Sequence, residues 1–84
     1  MARKVLMYAT DWCGYCARAR ALLTRKGVAF EEIDIDVVPG AYEEMRAKSG
    51  RSSVPQILID GQPIGGCDEL LALESDGRLD AMLQ

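Results

Sequence analysis

Two cysteines separated by two residues constrain this chain more than any other feature. Cys13 and Cys16 stand where a short apolar run over residues 5–9 gives way to a segment rich in alanine, leucine and arginine. The apolar run is typical of a buried strand, and the composition of residues 15–26 favours a helix. The sequence therefore predicts a strand that leads directly into a helix whose first turn carries both thiols.

The rest of the chain alternates between strand-like and helix-like segments. Loose alternation of apolar and acidic residues predicts a second strand that ends near Asp36, and Pro39 opens a second helix. Tyr42 and Met45 are its predicted inward residues. The predicted strands cover residues 5–9, 28–37, 56–60 and 63–64, the predicted helices cover 15–26, 39–49 and 67–74, and a last helical turn or two covers 79–83.

This order predicts an α/β fold. The element order is β-α-β-α-β-β-α, in which the first β-α-β unit requires a parallel pair of strands with a right-handed crossover. The later pair of strands is joined by a turn at Asp60-Gly61 and should be antiparallel. We expect one mixed four-stranded sheet flanked by helices. A chain of 84 residues fits a single domain, residues 1–84.

Composition excludes several classes of function. The net charge of −3 argues against a nucleic-acid-binding protein, which needs a basic surface. The apolar run after the basic residues 1–4 stops before Asp11 and is too short for a signal peptide or a membrane span. A disulfide-stabilised secreted domain of this size usually has four or more cysteines in an even number, whereas this chain has three. We therefore expect a cytoplasmic protein with no membrane or nucleic-acid partner.

The position of the two cysteines predicts thiol redox chemistry. Cys13 would lie at a helix N-terminus, where unpaired N–H groups and the helix dipole stabilise a thiolate. Cys13 should therefore attack a disulfide, and Cys16, one turn later, should resolve the resulting mixed disulfide. The chain has no histidine to activate a thiol. Two alternatives stay open, namely a zinc site that also uses Cys67 and a role for the cysteines in core packing alone.

Three separated motifs resemble those of the glutaredoxins. Residues 13–16 (Cys-Gly-Tyr-Cys) are similar to the family's Cys-Pro-Tyr-Cys, and residues 53–55 (Ser-Val-Pro) are similar to its Thr-Val-Pro. Residues 65–70 (Gly-Gly-Cys-Asp-Glu-Leu) are similar to its Gly-Gly-Cys-Asp-Asp-Leu. The resemblance implies a thioredoxin-like fold, glutathione as the reductant, and reduction of glutathione mixed disulfides and protein disulfides.

The resemblance also implies a glutathione site. Cys13 would carry the glutathionyl group, Val54 would pair through its backbone with the cysteinyl part, and Pro55 would follow a cis peptide bond. The N-terminus of the third helix would hold the γ-glutamyl end, and Arg51 would meet the glycyl carboxylate. The implied glutathione-binding residues are Tyr15, Arg51, Val54, Pro55, Gly66, Cys67 and Asp68.

Each of these residues also has an ordinary structural interpretation. Pro55 could begin a strand, residues 65–66 could form a plain turn, and Cys67 could be a small buried residue. Asp68 could be a helix cap, while Arg51 and Tyr15 could be exposed surface residues.

Departures from the family pattern leave two alternative functions open. Gly14 stands where the family usually has proline, as in glutaredoxins in which the first cysteine of each of two subunits and two glutathiones bind a [2Fe–2S] cluster. By this resemblance, Cys13 would be the cluster ligand in a cluster-bridged homodimer, whereas without a cluster we expect a monomer. Trp12 resembles thioredoxins, which suggests a redoxin reduced by thioredoxin reductase. Thr10 replaces a basic residue that in the family contacts glutathione.

Overall fold

The computed structural model describes residues 3–84, so the first two residues of the basic segment 1–4 lie outside the described part of the chain. The chain alternates strands and helices in the predicted order, and the expected last helical turns form a short fourth helix. The strands are β1 (Val5–Ala9), β2 (Phe30–Asp34), β3 (Gln56–Ile59) and β4 (Gln62–Gly65), and the helices are α1 (Gly14–Arg25), α2 (Ala41–Ser49), α3 (Cys67–Ser75) and α4 (Leu79–Leu83).

The four strands form one mixed sheet in the order β2-β1-β3-β4. β1 is parallel to β2 and antiparallel to β3, and β3 is antiparallel to β4. The register pairs Ala9 with Asp34 and Tyr8 with Gln56. The end of β1, the end of β2 and the start of β3 therefore meet at one edge of the sheet, and the predicted fold class is confirmed.

Side-chain alternation in the strands builds two core layers. Odd-numbered residues of β1 and β3 face α1, α3 and α4, and even-numbered residues face α2. The helical spacing of four apolar residues predicts the inner face of α1, and the structure confirms it because all four are buried: Cys16, Ala19, Leu22 and Leu23. The buried residues of the larger layer are Val5, Met7, Ala9, Cys16, Ala19, Leu22, Leu23, Ile57, Ile59, Leu70 and Leu79.

The bounds of β2 and the start of α2 differ from the prediction. β2 stops at Asp34 because its carboxylate accepts a hydrogen bond from the Asp36 amide at 2.9 Å and so begins a turn. α2 begins at Ala41 rather than at Pro39, since Gly40 has a φ of 79° that a helix cannot continue through.

Two predicted packing residues lie closer to solvent than expected. Tyr42 is 37% exposed because it stands on the outer face of α2, with the Arg46 guanidinium 5.9 Å from its ring centre. In α3, the sequence predicts Leu70, Leu71 and Leu73 as the packing residues, and Leu71 is 37% exposed whereas Leu70 is fully buried. Among residues 3–84, no helix is both long and apolar enough to cross a membrane.

Candidate active site

Cys13 joins β1 to α1 and caps the helix with its own side chain. Its φ and ψ of −90° and 121° are extended, and its sulfur accepts a hydrogen bond from the Cys16 amide at 3.4 Å. The sulfur also lies 3.8 Å from the Val54 carbonyl oxygen, to which the thiol can donate. The half-buried sulfur is thus held between the start of α1 and the loop before β3.

The surroundings of Cys13 favour its ionised form. Burial acts to raise its pKa, but hydrogen bonds from the Cys16 amide, the Cys16 thiol and the Tyr15 amide stabilise the thiolate, as does the positive charge of Arg20. These interactions outweigh burial and hold the pKa of Cys13 below its usual range. Since the thiolate is the reactive form, Cys13 is suited to nucleophilic attack.

Cys16 has the opposite character. Its side chain is completely buried on the inner face of α1. Burial, together with the neighbouring Cys13, raises the pKa of Cys16 to about 11. Cys16 therefore stays protonated at neutral pH, donates toward Cys13, and lies one helical turn away from it. This arrangement supports the predicted division between an attacking and a resolving thiol.

Thr10 is a neighbour of Cys16 that sequence reasoning noted only as a departure from the family pattern. Its side chain is 2% exposed, and among residues 3–84 its hydroxyl oxygen has no hydrogen-bond partner within normal limits. The Thr10 amide and hydroxyl nevertheless face the Cys16 sulfur and partly offset the effect of burial on the pKa of that thiol. A buried hydroxyl without a partner is unfavourable, and a Cys16 thiolate would supply one.

A cleft of about 310 Å³ opens beside the cysteines. The structure brings all seven predicted glutathione-binding residues together in its walls, although they come from three separate stretches of sequence. Ser53 and Glu69 complete the lining. The lining residues are Tyr15, Arg51, Ser53, Val54, Pro55, Gly66, Cys67, Asp68 and Glu69.

The loop before β3 forms one wall of the cleft. The Val54–Pro55 peptide bond is cis, as the resemblance predicts. The Gln56 side chain, which is buried, donates hydrogen bonds to the Ser53 carbonyl oxygen at 2.9 Å and to the Ser53 hydroxyl at 3.3 Å. Gln56 thereby fixes the loop whose Val54 carbonyl contacts Cys13, a role that a lone glutamine in the sequence gave no reason to expect.

The N-terminus of α3 forms the opposite wall. Gly66 caps the helix, Cys67 is buried, and the Glu69 carboxylate accepts a hydrogen bond from the Gly66 amide at 2.6 Å. This bond and the Arg51 guanidinium, 2.9 Å from the same oxygen, hold the pKa of Glu69 below its usual range. A glutamate three residues after a helix cap was the available signal for this contact.

The zinc alternative considered above gains no support from this geometry. Among the described residues, no group of three or more cysteine, aspartate, glutamate or histidine side chains is placed to hold a metal ion, so the zinc alternative lacks its ligands. A side chain at Gly14 would meet no atom within 4 Å. Glycine is therefore not required there for space.

The lowered pKa of Cys13 gives a direct prediction for thiol reactivity. In a Cys16→Ser variant, the rate of alkylation by iodoacetamide should rise with pH while the Cys13 thiol ionises and then level off. The midpoint should lie below that of the same variant unfolded in guanidinium, because only the folded chain supplies the stabilising N–H groups. Peptide mapping of the alkylated protein locates the product. A midpoint at or above the unfolded value would contradict the assignment.

Comparison with known proteins agrees with this geometry. The Glutaredoxin family model matches residues 5–64. The chain is 52% identical over 80 residues to Glutaredoxin 3 of Escherichia coli, a match that covers 95% of this chain and 96% of that protein.

Two solved structures share the fold. The solution structure of glutaredoxin from Brucella melitensis has 49% identity and a TM-score of 0.84, covering 98% of this chain and 89% of that one. A crystal structure of a buckwheat glutaredoxin–glutathione complex has 28% identity and a TM-score of 0.88, covering 96% of this chain and 76% of that one. The chain therefore belongs to the glutaredoxin family of thiol–disulfide oxidoreductases.

Proposed function

We propose that residues 1–84 form a single glutathione-dependent oxidoreductase domain that reduces glutathione mixed disulfides through Cys13, and protein disulfides through Cys13 and Cys16. The observation that carries this proposal is the cleft, whose walls hold all seven predicted glutathione-binding residues next to a thiol with a lowered pKa. The buckwheat relative, whose structure is described as a glutathione complex, supports the choice of ligand.

The reaction is a sequence of thiolate–disulfide exchanges. The Cys13 thiolate attacks the glutathione sulfur of a mixed disulfide, a Cys13–glutathione disulfide forms, and the substrate sulfur leaves as a thiolate that takes up a proton. A second glutathione thiolate then attacks the glutathione sulfur of that adduct. Oxidised glutathione leaves and the Cys13 thiolate returns. For a protein disulfide, the Cys13 thiolate first attacks one substrate sulfur, and the other substrate sulfur leaves as a thiolate that takes up a proton. Cys16 then loses its proton and attacks the Cys13 sulfur, which releases the first substrate sulfur as a thiol and leaves a Cys13–Cys16 disulfide. Two glutathiones reduce that disulfide and are released as oxidised glutathione.

The charges around the cleft suit the two ends of glutathione. The amides at the start of α3 can donate to the γ-glutamyl carboxylate, and the Asp68 carboxylate can pair with the adjacent ammonium group. Arg51 pairs with Glu69 through one terminal nitrogen, which leaves other N–H groups for the glycyl carboxylate. Val54 offers its backbone to the cysteinyl part, between these two ends.

We expect Asp68→Asn to raise the KM for glutathione by about fivefold to tenfold, since one charge-assisted contact is lost. The measurement couples turnover of a small mixed disulfide to glutathione reductase and NADPH. Asp76→Asn, the same change at the far end of α3, is the matched control and should leave the KM at the wild-type value. Equal effects of the two variants would remove Asp68 from the binding site.

Turnover with thioredoxin reductase but none with glutathione would favour the redoxin alternative suggested by Trp12.

The cluster alternative needs more than one chain. Cys16 and Cys67 are buried, so a single chain offers one accessible thiolate, Cys13. A [2Fe–2S] group, which takes four thiolates, would require a homodimer and two glutathiones. Anaerobic reconstitution with iron, sulfide and glutathione tests this directly, because a colourless monomer eliminates the alternative. Nothing in the geometry at Gly14 favours it over the oxidoreductase.

The expected cellular location rests on composition. Three cysteines, two of them in a redox pair, suit a reducing compartment. We infer a cytoplasmic protein whose partners are glutathione and proteins that carry disulfides or glutathionyl groups.

A further inference from the structure

An exposed apolar surface lies on the side of Cys13 away from the glutathione cleft. Trp12 is 76% exposed and Val37 is 72% exposed, although both are large apolar residues. The Trp12 indole N–H donates to the Asp36 carboxylate at 2.8 Å, which joins the residue before Cys13 to the loop after β2. We call Trp12, Val37 and Val38, with the carboxylates of Asp11 and Asp36, the Trp12 surface.

The strand order places this surface opposite the cleft. β1, which leads to Cys13, lies between β2 and β3 in the sheet. The loop before β3 forms a wall of the cleft, and the loop after β2 carries Asp36, Val37 and Val38. When the glutathione half of a mixed disulfide lies in the cleft and its sulfur meets Cys13, the other half of the disulfide therefore points toward the Trp12 surface.

The Trp12 surface carries negative charge. Its two carboxylates, Asp11 and Asp36, belong to exposed residues, and the loop after β2 contains no lysine or arginine. Within the described chain, Asp11, Asp34 and Asp36 form no ion pair with a basic residue. Arg20 interacts electrostatically with both Cys16 and Asp11. Its guanidinium donates two hydrogen bonds to the Glu32 carboxylate, so its ion-pair partner is Glu32 rather than Asp11.

We propose that the Trp12 surface binds the protein half of the mixed disulfide and selects segments with lysine or arginine beside the glutathionylated cysteine. The proposal rests on the proposed function. Basic neighbours lower the pKa of a thiol, so cysteines in such segments are the ones that most readily become glutathionylated. The carboxylates would pair with these cations, and Trp12 would contact the apolar stems of their side chains.

The test compares two glutathionylated peptides of equal length, one with lysine and one with glutamate on both sides of the cysteine. We expect the wild-type kcat/KM to be about tenfold higher for the lysine peptide, and this preference to shrink as salt is added. An Asp11→Asn, Asp36→Asn double variant should reduce the preference to about twofold. Asparagine at position 36 can still accept the indole N–H, so only charge is removed. Asp76→Asn, remote from Cys13, should retain the full preference.

Three results would overturn the proposal. The wild-type protein would show no preference between the peptides, or the double variant would keep it. Alternatively, size-exclusion chromatography would show a dimer that Trp12→Ala converts to a monomer, which would assign the surface to a second copy of this chain. Turnover of a small uncharged mixed disulfide by the wild-type protein separates these results from a failure of the proposed function, which would abolish that turnover as well.

Discussion

Replacing Cys13 with serine is expected to abolish reduction of both glutathione mixed disulfides and protein disulfides, by about a thousandfold or more, because the thiolate is the nucleophile in every exchange. A serine hydroxyl stays protonated at neutral pH and cannot form the sulfur–sulfur bond. The remaining thiols cannot take over, since burial raises the pKa of Cys16 to about 11 and also raises the pKa of Cys67. The coupled glutathione reductase assay measures the loss.

The fold of the Cys13→Ser variant provides the control. Serine is a good helix cap, so far-UV circular dichroism and thermal unfolding should resemble those of the wild-type protein. Residual activity above about one per cent of the wild-type rate in a folded variant would mean that another thiol can start the reaction. That result would contradict the assignment of Cys13 as the nucleophile.

Replacing Cys16 with serine should separate the two activities. A mixed disulfide needs only Cys13 and free glutathione, so this activity should stay within about threefold of the wild-type rate. An intramolecular protein disulfide needs a second thiol to release the substrate, and its reduction should fall by about a hundredfold. The same preparation is assayed with a small mixed disulfide and with a reducible protein such as insulin.

The buried position of Cys16 makes this experiment discriminating. The Cys16 side chain is completely buried and packs in the larger core layer. A serine at this position places a hydroxyl group in the core and lowers the thermal stability. Measuring both activities on one sample removes this effect, because unfolding would lower them equally. An equal loss of both activities in a folded sample would refute the division between attacking and resolving thiols.

Local sequence signals determined much of the fold. The spacing of Cys16, Ala19, Leu22 and Leu23 predicts the buried face of α1, and the structure confirms it. The predicted bounds of an element were wrong where a single residue interrupts the pattern of its neighbours. Gly40 delays the start of α2 because its left-handed backbone interrupts the helix that Pro39 predicts.

The contacts within the site depend on distance in space rather than in sequence. The Arg51–Glu69 pair and the Trp12–Asp36 bond join residues 18 and 24 positions apart, and neither partner carries a local signal for the other. The three family motifs contain six of the seven predicted glutathione-binding residues, and the structure brings these three separate stretches of sequence together at the cleft. The motifs did not indicate Thr10, whose hydroxyl faces Cys16 only once β1 and α1 are packed together.

Incubating the Cys16→Ser variant with oxidised glutathione, followed by mass spectrometry of the intact protein and its peptides, tests whether Cys13 forms the disulfide with glutathione. We expect one glutathionyl group per chain, located on Cys13, that reduced glutathione removes. No adduct, or an adduct located on Cys67 instead, would contradict the claim that Cys13 is the thiol through which this protein exchanges disulfides with glutathione.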